Sequence, residues 1–399
     1  MASYGIGVIG MGWMGETHSR AFRQIPERFW QSGLDVRLVI CADEDADRAA
    51  QSRQRFGFED CATDWHTVAT HPDVDIVTIA VPNQLHRTVA EVVAAAGKHL
   101  LCEKPVGLGV EDTRAIAAAV ARASVQSCVG FNYRWAPLVQ YAHQLQQSGA
   151  LGKLTHFRGR FFAMYGHNPL SQLSWRFERD KAGYGSLGDL MSHVLDMSNF
   201  LAGPVARLCS MRHTFVPNRP LPVPGKGTHF TLGSPEDPAG PVTNEDFVAV
   251  LAEYASGARG VLEACRVMYG PKCEFAFDLH GDRGGLRWDF ERMNELEVYR
   301  PTDKNAIGRE PDPHDGYARI LAGPEHPDYA WFQPGAGIAL GYDDLKALEA
   351  FHFVRNIHEG KPHAPSVHDA LRVAEAQHAA SQSWATGGWV DVPQIQETP

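Results

Sequence analysis

No run of residues is apolar for long enough to span a bilayer, which excludes a membrane-spanning helix. Basic residues are outnumbered, 37 Lys and Arg against 47 Asp and Glu, for a formal net charge of -10. They form no block, so the footprint of a nucleic-acid-binding protein is missing. The seven cysteines are scattered without a C-x-x-C pair, which argues against a disulfide framework and for reduced thiols. Nineteen histidines are present, yet none falls in an H-E-x-x-H or similar spacing, and no metal site is expected. No charged-then-apolar leader precedes the first apolar run, so the expected location is cytoplasmic. Internal repeats and low-complexity tracts are also missing. The chain has 399 residues, 44% of them hydrophobic, enough for two cores.

The first half alternates short apolar runs with helical periodicity. Residues 4–10 read as a buried parallel strand that runs into Gly10-Met11-Gly12-Trp13-Met14-Gly15, a G-x-G-x-x-G opening a helix. In that context the motif points to a dinucleotide. Gly10 makes the tight turn, Gly12 admits a pyrophosphate and Gly15 lets helix and strand pack closely. The alternative is a glycine-rich turn without a ligand. A second strand, 35–42, ends at Asp43. A carboxylate there accepts ribose hydroxyls and repels a 2′-phosphate, which favours NAD over NADP; Asp43 is equally placed to cap the following helix. Residues 24–34, with Pro26 and Gly33, read as an extended loop.

Residues 75–81 and 99–102 read as further buried strands. The first is followed by Pro82-Asn83-Gln84-Leu85-His86 and the second by Glu103-Lys104-Pro105. Proline ends the strand just where an amine appears, at the sheet edge where such folds bind ligands. Lys104 is either a surface partner of Glu103 or an amine held over a reacting oxygen. Asn83, His86, Glu103, Lys104, Asn132 and Arg134 all fall on that edge, although His86 alone is as readily a helix cap. The fold expected for residues 1–130 is a doubly wound parallel sheet of Rossmann type.

From residue 131 strands predominate, at 153–162, 206–214, 246–254, 259–265, 274–280, 284–288 and 296–300. They imply a second, α+β domain over 131–399, with one large, mainly antiparallel open sheet. Segments 218–242 and 301–341 are rich in Pro and Gly and read as long loops, and helices at 342–359 and 367–384 are expected to pack back on the body. The informative stretch is 183–196. Leu187, Leu190, Met191, Val194 and Leu195 recur at helical spacing, placing Asp189 and His193 on one face with Asp196 a turn further. An imidazole oriented by a carboxylate takes a proton near neutral pH. The alternative is an Asp–His pair on a solvated helix.

The glycine turn, the Glu103-Lys104-Pro105 turn and the Asp189-x-x-x-His193 helix together resemble the Gfo/Idh/MocA family of NAD(P)-dependent oxidoreductases. The resemblance covers nearly the whole chain. It implies Lys104, Asp189 and His193 as the catalytic set, a cis Lys104–Pro105 bond, and Asn83 and His86 near the nicotinamide. It also implies a homodimer or homotetramer formed through the second domain's sheet. The segments Asp64-Trp65, Gly130-Phe131-Asn132-Tyr133-Arg134, Leu173-Ser174-Trp175-Arg176-Phe177, Ile338-Ala339-Leu340-Gly341-Tyr342 and Trp389-Val390-Asp391-Val392-Pro393 are similar to the levoglucosan dehydrogenase-like branch. That branch oxidises a ring hydroxyl, typically at C3, of an anhydrosugar or glycoside, and inositol dehydrogenases share its catalytic pattern.

The reaction so implied is hydride transfer from a secondary C–H to nicotinamide C4, with His193 as general base. Asp189 orients His193, a substrate hydroxyl or both, and Lys104 stabilises the reacting oxygen. Tyr133, Trp175, Arg176 and Tyr342 are candidates for holding the sugar, Trp175 being as readily a core residue. The rival readings are an NAD-using glycosidase acting through transient C3 oxidation and, more distantly, a non-catalytic sensor.

Overall fold

The computed structural model describes residues 2–222, 231–300 and 315–395. They fall into two compact units. The first comprises Met1–Trp135, Asp180–Gly183 and Leu340–Ala374, and the second Ala136–Arg179, Tyr184–Ala339 and Glu375–Pro399. The expected division at residue 130 assigned neither 180–183 nor 340–374 to the first unit. Both segments join it through long-range contacts that leave no mark on local periodicity.

In the first unit six strands, β1 (Ala2–Ile9), β2 (Leu34–Ala42), β3 (Asp60–Ala62), β4 (Ile76–Ile79), β5 (His99–Cys102) and β6 (Ser127–Val129), form one sheet in the order β3-β2-β1-β4-β5-β6. Every neighbouring pair is parallel. This is the Rossmann-like doubly wound sheet expected. Its order reverses between β1 and β4, and in such sheets ligands bind outside the carboxyl ends of the strands at that point. Residues 24–34 are not an extended loop. They contain a helical turn, Ile25–Arg28, and a 3-10 turn, Trp30–Ser32. Pro26 sits in the first turn, where proline costs no hydrogen bond. Between the turns the buried Phe29 stacks on Phe351 with ring centroids 3.9 Å apart.

Phe351 belongs to the helix Tyr342–Glu359, which packs on the first unit. An ionic tie reinforces the aromatic one. The Lys346 Nζ lies 2.8 Å from Glu103 Oε1 and 2.9 Å from Glu349 Oε1, with all three side chains buried. His18 Nε2 is 2.7 Å from the same Glu103 oxygen. Burial alone pushes the Glu103 carboxyl up, but Lys346 and His18 overcome it and hold the group well below the usual carboxylate range. Burial likewise lowers Lys346, and Glu103 and Glu349 more than reverse this. The pair therefore stays ionised without water.

The second unit is built on a nine-stranded sheet. Its strands are β7 (Leu154–Ala163), β8 (Val205–His213), β11 (Phe247–Tyr254), β12 (Arg259–Cys265), β13 (Cys273–Gly281), β14 (Gly285–Asp289), β15 (Glu295–Tyr299), β16 (Ala318–Leu321) and β17 (Val390–Asp391), and β9 (Asn218–Pro220) with β10 (Ala239–Pro241) makes a separate ribbon. The order is β16-β15-β14-β13-β7-β12-β11-β8-β17, antiparallel throughout except where β12 runs parallel to β7. The segments expected as loops thus hold β9, β10 and β16. Residues 223–230 and 301–314 of those segments lie outside the described residues. Among the described residues no helix is long and apolar enough to cross a membrane.

Lys346→Met is expected to destabilise the first unit by about 3–5 kcal/mol, since it leaves buried carboxylates without their cation. Urea unfolding at several pH values reads the effect. Because the folded Glu103 carboxyl titrates below its unfolded value, the wild-type tie is fully present above about pH 4.3 and is lost as pH falls through the lower folded value. The deficit of the variant is therefore largest near neutrality and narrows in acid.

Candidate active site

The turn after β1 is shaped by three glycines. Gly10 has φ +90°, and a Cβ on Gly15 would lie 1.9 Å from the Gly10 carbonyl oxygen, so strand and helix close on each other only without side chains. Gly12 differs. A Cβ there meets nothing within 4 Å, and the residue is exposed at the start of the helix Trp13–Arg23. Open space before unpaired helix-start N–H groups fits a pyrophosphate. Met11 is buried, and its N–H donates to Asp43 Oδ2 at 2.8 Å. Asp43 Oδ1 accepts from the Asp45 N–H and from Arg48 Nη1, each at 3.0 Å. Asp43 is thus not the helix cap. That role falls to Asp45, whose side chain accepts from the Asp47 and Arg48 N–H groups.

Trp13 is exposed and stacks on Tyr342, centroids 5.7 Å apart, and the buried Tyr133 meets Tyr342 edge-on at 6.3 Å. The Tyr342 hydroxyl lies 3.8 Å from the Met14 sulfur. These four predicted residues form one aromatic and thioether cluster beside the glycine turn.

At the ends of β4 and β5 the predicted residues divide into fixed and accessible groups. Pro82 caps the helix Asn83–Ala95. The buried Asn83 donates to the Ala182 carbonyl at 2.9 Å, which fastens segment 180–183 to this edge. His86 is buried, with Nδ1 2.9 Å from the Pro105 carbonyl and Nε2 2.8 Å from that of Val81; burial lowers its pKa against both contacts. It is a brace across the turn rather than a helix cap. The Lys104–Pro105 bond is cis, as the family resemblance implies. Glu103 carries its ion pair on Oε1 and accepts the Lys104 N–H on Oε2 at 3.2 Å. Lys104 itself is half-buried. Arg134 is buried against Asp369, 3.3 Å away. Asn132 is buried too, and its side-chain Nδ2 has no hydrogen-bond partner among the described residues.

In the second unit the helix expected over 187–196 is two. A turn, Ser186–Asp189, and the helix Met191–Ala202 meet at Leu190, whose carbonyl accepts the His193 N–H at 3.1 Å in a tightened i−3 bond. The longer helix is buried along nearly its whole length, which removes the solvated-helix alternative. His193 is buried against the stacked pair Phe161 and Phe275, ring centroids 5.9 and 6.1 Å away, and Asp196 is buried as well. Asp189 is half-buried and accepts a 2.9 Å hydrogen bond on Oδ2 from the Tyr165 hydroxyl. Trp175 is half-buried rather than core, with the Arg176 guanidinium over its ring at 4.4 Å.

Behind Asp189 and Arg176 sits a buried ion pair, Arg266–Asp246, at 2.8 Å. Arg266 also donates to the Asn244 side chain at 2.8 Å and the Arg176 carbonyl at 3.2 Å. The Ser186 N–H donates to the Glu245 carbonyl at 2.9 Å, and the Ser186 hydroxyl donates to the Asp246 carbonyl at 2.6 Å. Tyr165, Arg266, Asp246 and Lys346 escaped the sequence reading because each lies far in sequence from the groups it serves. Among the described residues no cluster of three or more metal-ligating side chains occurs.

Comparison with known proteins fits this architecture. Residues 4–131 match the model of an oxidoreductase family with an NAD-binding Rossmann fold, and residues 139–287 match the Gfo/Idh/MocA C-terminal domain. Levoglucosan dehydrogenase of Pseudarthrobacter phenanthrenivorans is 37% identical over 396 residues, covering 99% of this chain and all of that one. The chain belongs to the Gfo/Idh/MocA family. Inositol 2-dehydrogenase of Rhizobium meliloti is 25% identical over 380 residues, 95% of this chain and 96% of the relative. A solved levoglucosan dehydrogenase in complex with NADH and L-sorbose superposes with a TM-score of 0.91 at 35% identity, covering 99% of this chain and all of the other. As a member of the Gfo/Idh/MocA family the protein is an oxidoreductase with NAD as its cofactor, and the open turn at Gly12 with Asp43 behind it suits that cofactor.

Gly12→Ala is expected to leave the melting temperature unchanged and weaken NAD binding by about tenfold or more, measured by scanning fluorimetry and calorimetric titration. Gly15→Ala, which drives a methyl into the Gly10 carbonyl, is expected to lower both.

Proposed function

We propose that the protein is an NAD-dependent dehydrogenase that oxidises a secondary ring hydroxyl of a sugar, anhydrosugar or glycoside to a ketone, with C3 as the reacting carbon. The observation that carries this reading is the buried helix pair that holds Asp189 by a phenolic hydrogen bond and presents His193 one turn on. The names of its relatives, levoglucosan dehydrogenase and inositol 2-dehydrogenase, support a cyclic polyol as substrate.

In this reading His193 removes the hydroxyl proton as the C–H bond breaks. Asp189, an acceptor fixed by Tyr165, orients the imidazole or a substrate hydroxyl. Lys104, with its backbone N–H held by Glu103, donates to the reacting oxygen and stabilises its developing negative charge. Bound NAD supplies the acceptor for the hydride. Trp175 with Arg176, and Tyr342 with Tyr133, supply flat apolar faces and hydrogen-bond donors suited to a sugar ring.

The test is NADH absorbance with purified protein, NAD and a panel of levoglucosan, glucose, simple glucosides and inositols. Net NADH with one sugar class is expected, falling by about 10²–10⁴ in Lys104→Ala and His193→Ala. Glycoside cleavage without net NADH would replace the reading with a redox-assisted glycosidase. NADH formation unaffected by both substitutions would overturn the residue assignments.

A further inference from the structure

We infer that Tyr165 is a positioning residue for the reaction, one that keeps Asp189 an ionised hydrogen-bond acceptor, and this rests on the function proposed above. A phenol beside a carboxylate donates to the anion, and Tyr165 does so to Asp189 Oδ2 at 2.9 Å.

The contact is built from both sides. Tyr165 follows the end of β7, and the next residue is clamped. The Gly166 N–H donates to the Arg266 carbonyl at 2.9 Å, and the Gly166 carbonyl accepts from Arg219 Nη2 at 2.5 Å. Phe177, 6.5 Å from the Tyr165 ring, lies under two guanidinium groups, those of Arg219 at 4.1 Å and Arg266 at 4.5 Å. The other partner is fixed by the same strand ends. Asp189 closes the turn that Ser186 fastens to Glu245 and Asp246, and the Leu187 N–H donates to Glu245 Oε1 at 2.9 Å. The backbone carbonyls of two ion-paired residues, Arg266 and Asp246, therefore hold the neighbours of both the donor and the acceptor.

The charged and titratable groups around the phenol are Asp189, Arg176 on the 175–177 turn, Arg219 on β9 and Arg266 beyond β12. Asp246 and Glu245 stand behind Arg266, and His193 lies in the helix after Asp189. Arg176, Arg219 and Arg266 carry positive charge that remains after Tyr165→Phe, so the substitution removes one donor to the anion and leaves these cations in place. Loss of that donor favours the protonated carboxyl, and the proton affinity of Asp189 rises.

Tyr165→Phe is the test, with two readouts. In the rate assay kcat is expected to fall about tenfold with KM within about twofold. A general loosening of the fold would raise KM together with the loss of kcat, and that result would overturn the inference. The second readout needs no substrate. The carboxyl carbon resonance of Asp189, assigned by its loss in Asp189→Asn, is followed against pH in both proteins, and its midpoint is expected to be about one unit higher in Tyr165→Phe. An unshifted midpoint overturns the positioning role whatever the substrate. If instead the wild type oxidises no sugar while the midpoint shifts, the proposed function fails and the hydrogen-bond assignment stands.

Discussion

A carboxylate buried in the first unit, Glu103, fixes more of the site than any other group. It ends β5, accepts the Lys104 N–H on one oxygen and meets Lys346 and His18 with the other. A buried carboxylate without partners would take up a proton or unfold its surroundings. Its ionisation therefore requires the helix Tyr342–Glu359 to be docked, since that helix supplies Lys346. The same helix brings Tyr342 against Trp13 and Tyr133. Docking the helix, charging Glu103 and assembling the aromatic cluster beside the glycine turn are consequently one event.

The second unit repeats the device with opposite polarity. Arg266 is the buried cation, and Asp246 neutralises it at 2.8 Å. Around the pair gather the Arg176 carbonyl, Asn244, Phe177, Gly166 and the start of the Asp189 turn. Glu245 beside it is pushed up by burial, while the N–H groups of Leu187, Gly185 and its own backbone pull the other way. The result is a polar floor under the turn that carries Asp189.

Much of this was legible in the chain itself. The longer strands of both sheets, though not the short β3, β16 and β17, follow from local pattern, as do the glycine turn and the Glu103-Lys104-Pro105 turn, because strand burial and turn chemistry are properties of neighbouring residues. Asp189 and His193 stand out in the sequence for the same reason, through their helical spacing. What local pattern lacks is long-range pairing. Lys346 stands three residues before Glu349 on a helix and reads as half of a surface ion pair, yet its other partner is Glu103. Arg219 lies in a Pro-rich stretch that reads as loop, and its donors end on the carbonyls of Gly166, Asn168 and Ser171. The tightening at Leu190 was hidden because a 3-10 bond and an α-helical bond demand the same apolar spacing over a single turn. Residues 24–34 misled for a related reason: Pro26 and Gly33 suggest a break, while Ile25 and Phe29, four apart and buried, mark a helical turn.

Buried ion pairs are a poor means of stabilising a protein, because desolvation consumes most of the attraction and apolar residues of similar volume often do better. Their placement here gives another reason for keeping them. The first pair includes the residue before a group the proposed reaction needs, Glu103 before Lys104, and the second reaches the residue after Tyr165, since the Gly166 N–H donates to the Arg266 carbonyl. An apolar residue in place of Glu103 fills the same volume but accepts no N–H, and one in place of Arg266 donates nothing to the Arg176 carbonyl or to Asn244. Ionic hydrogen bonds are directional, and they lose strength steeply when misaligned. A group that must be held within a fraction of an ångström gains from that steepness, since small displacements are opposed at once. The two networks are thus understood as positioning devices whose cost in stability is offset by the apolar cores around them.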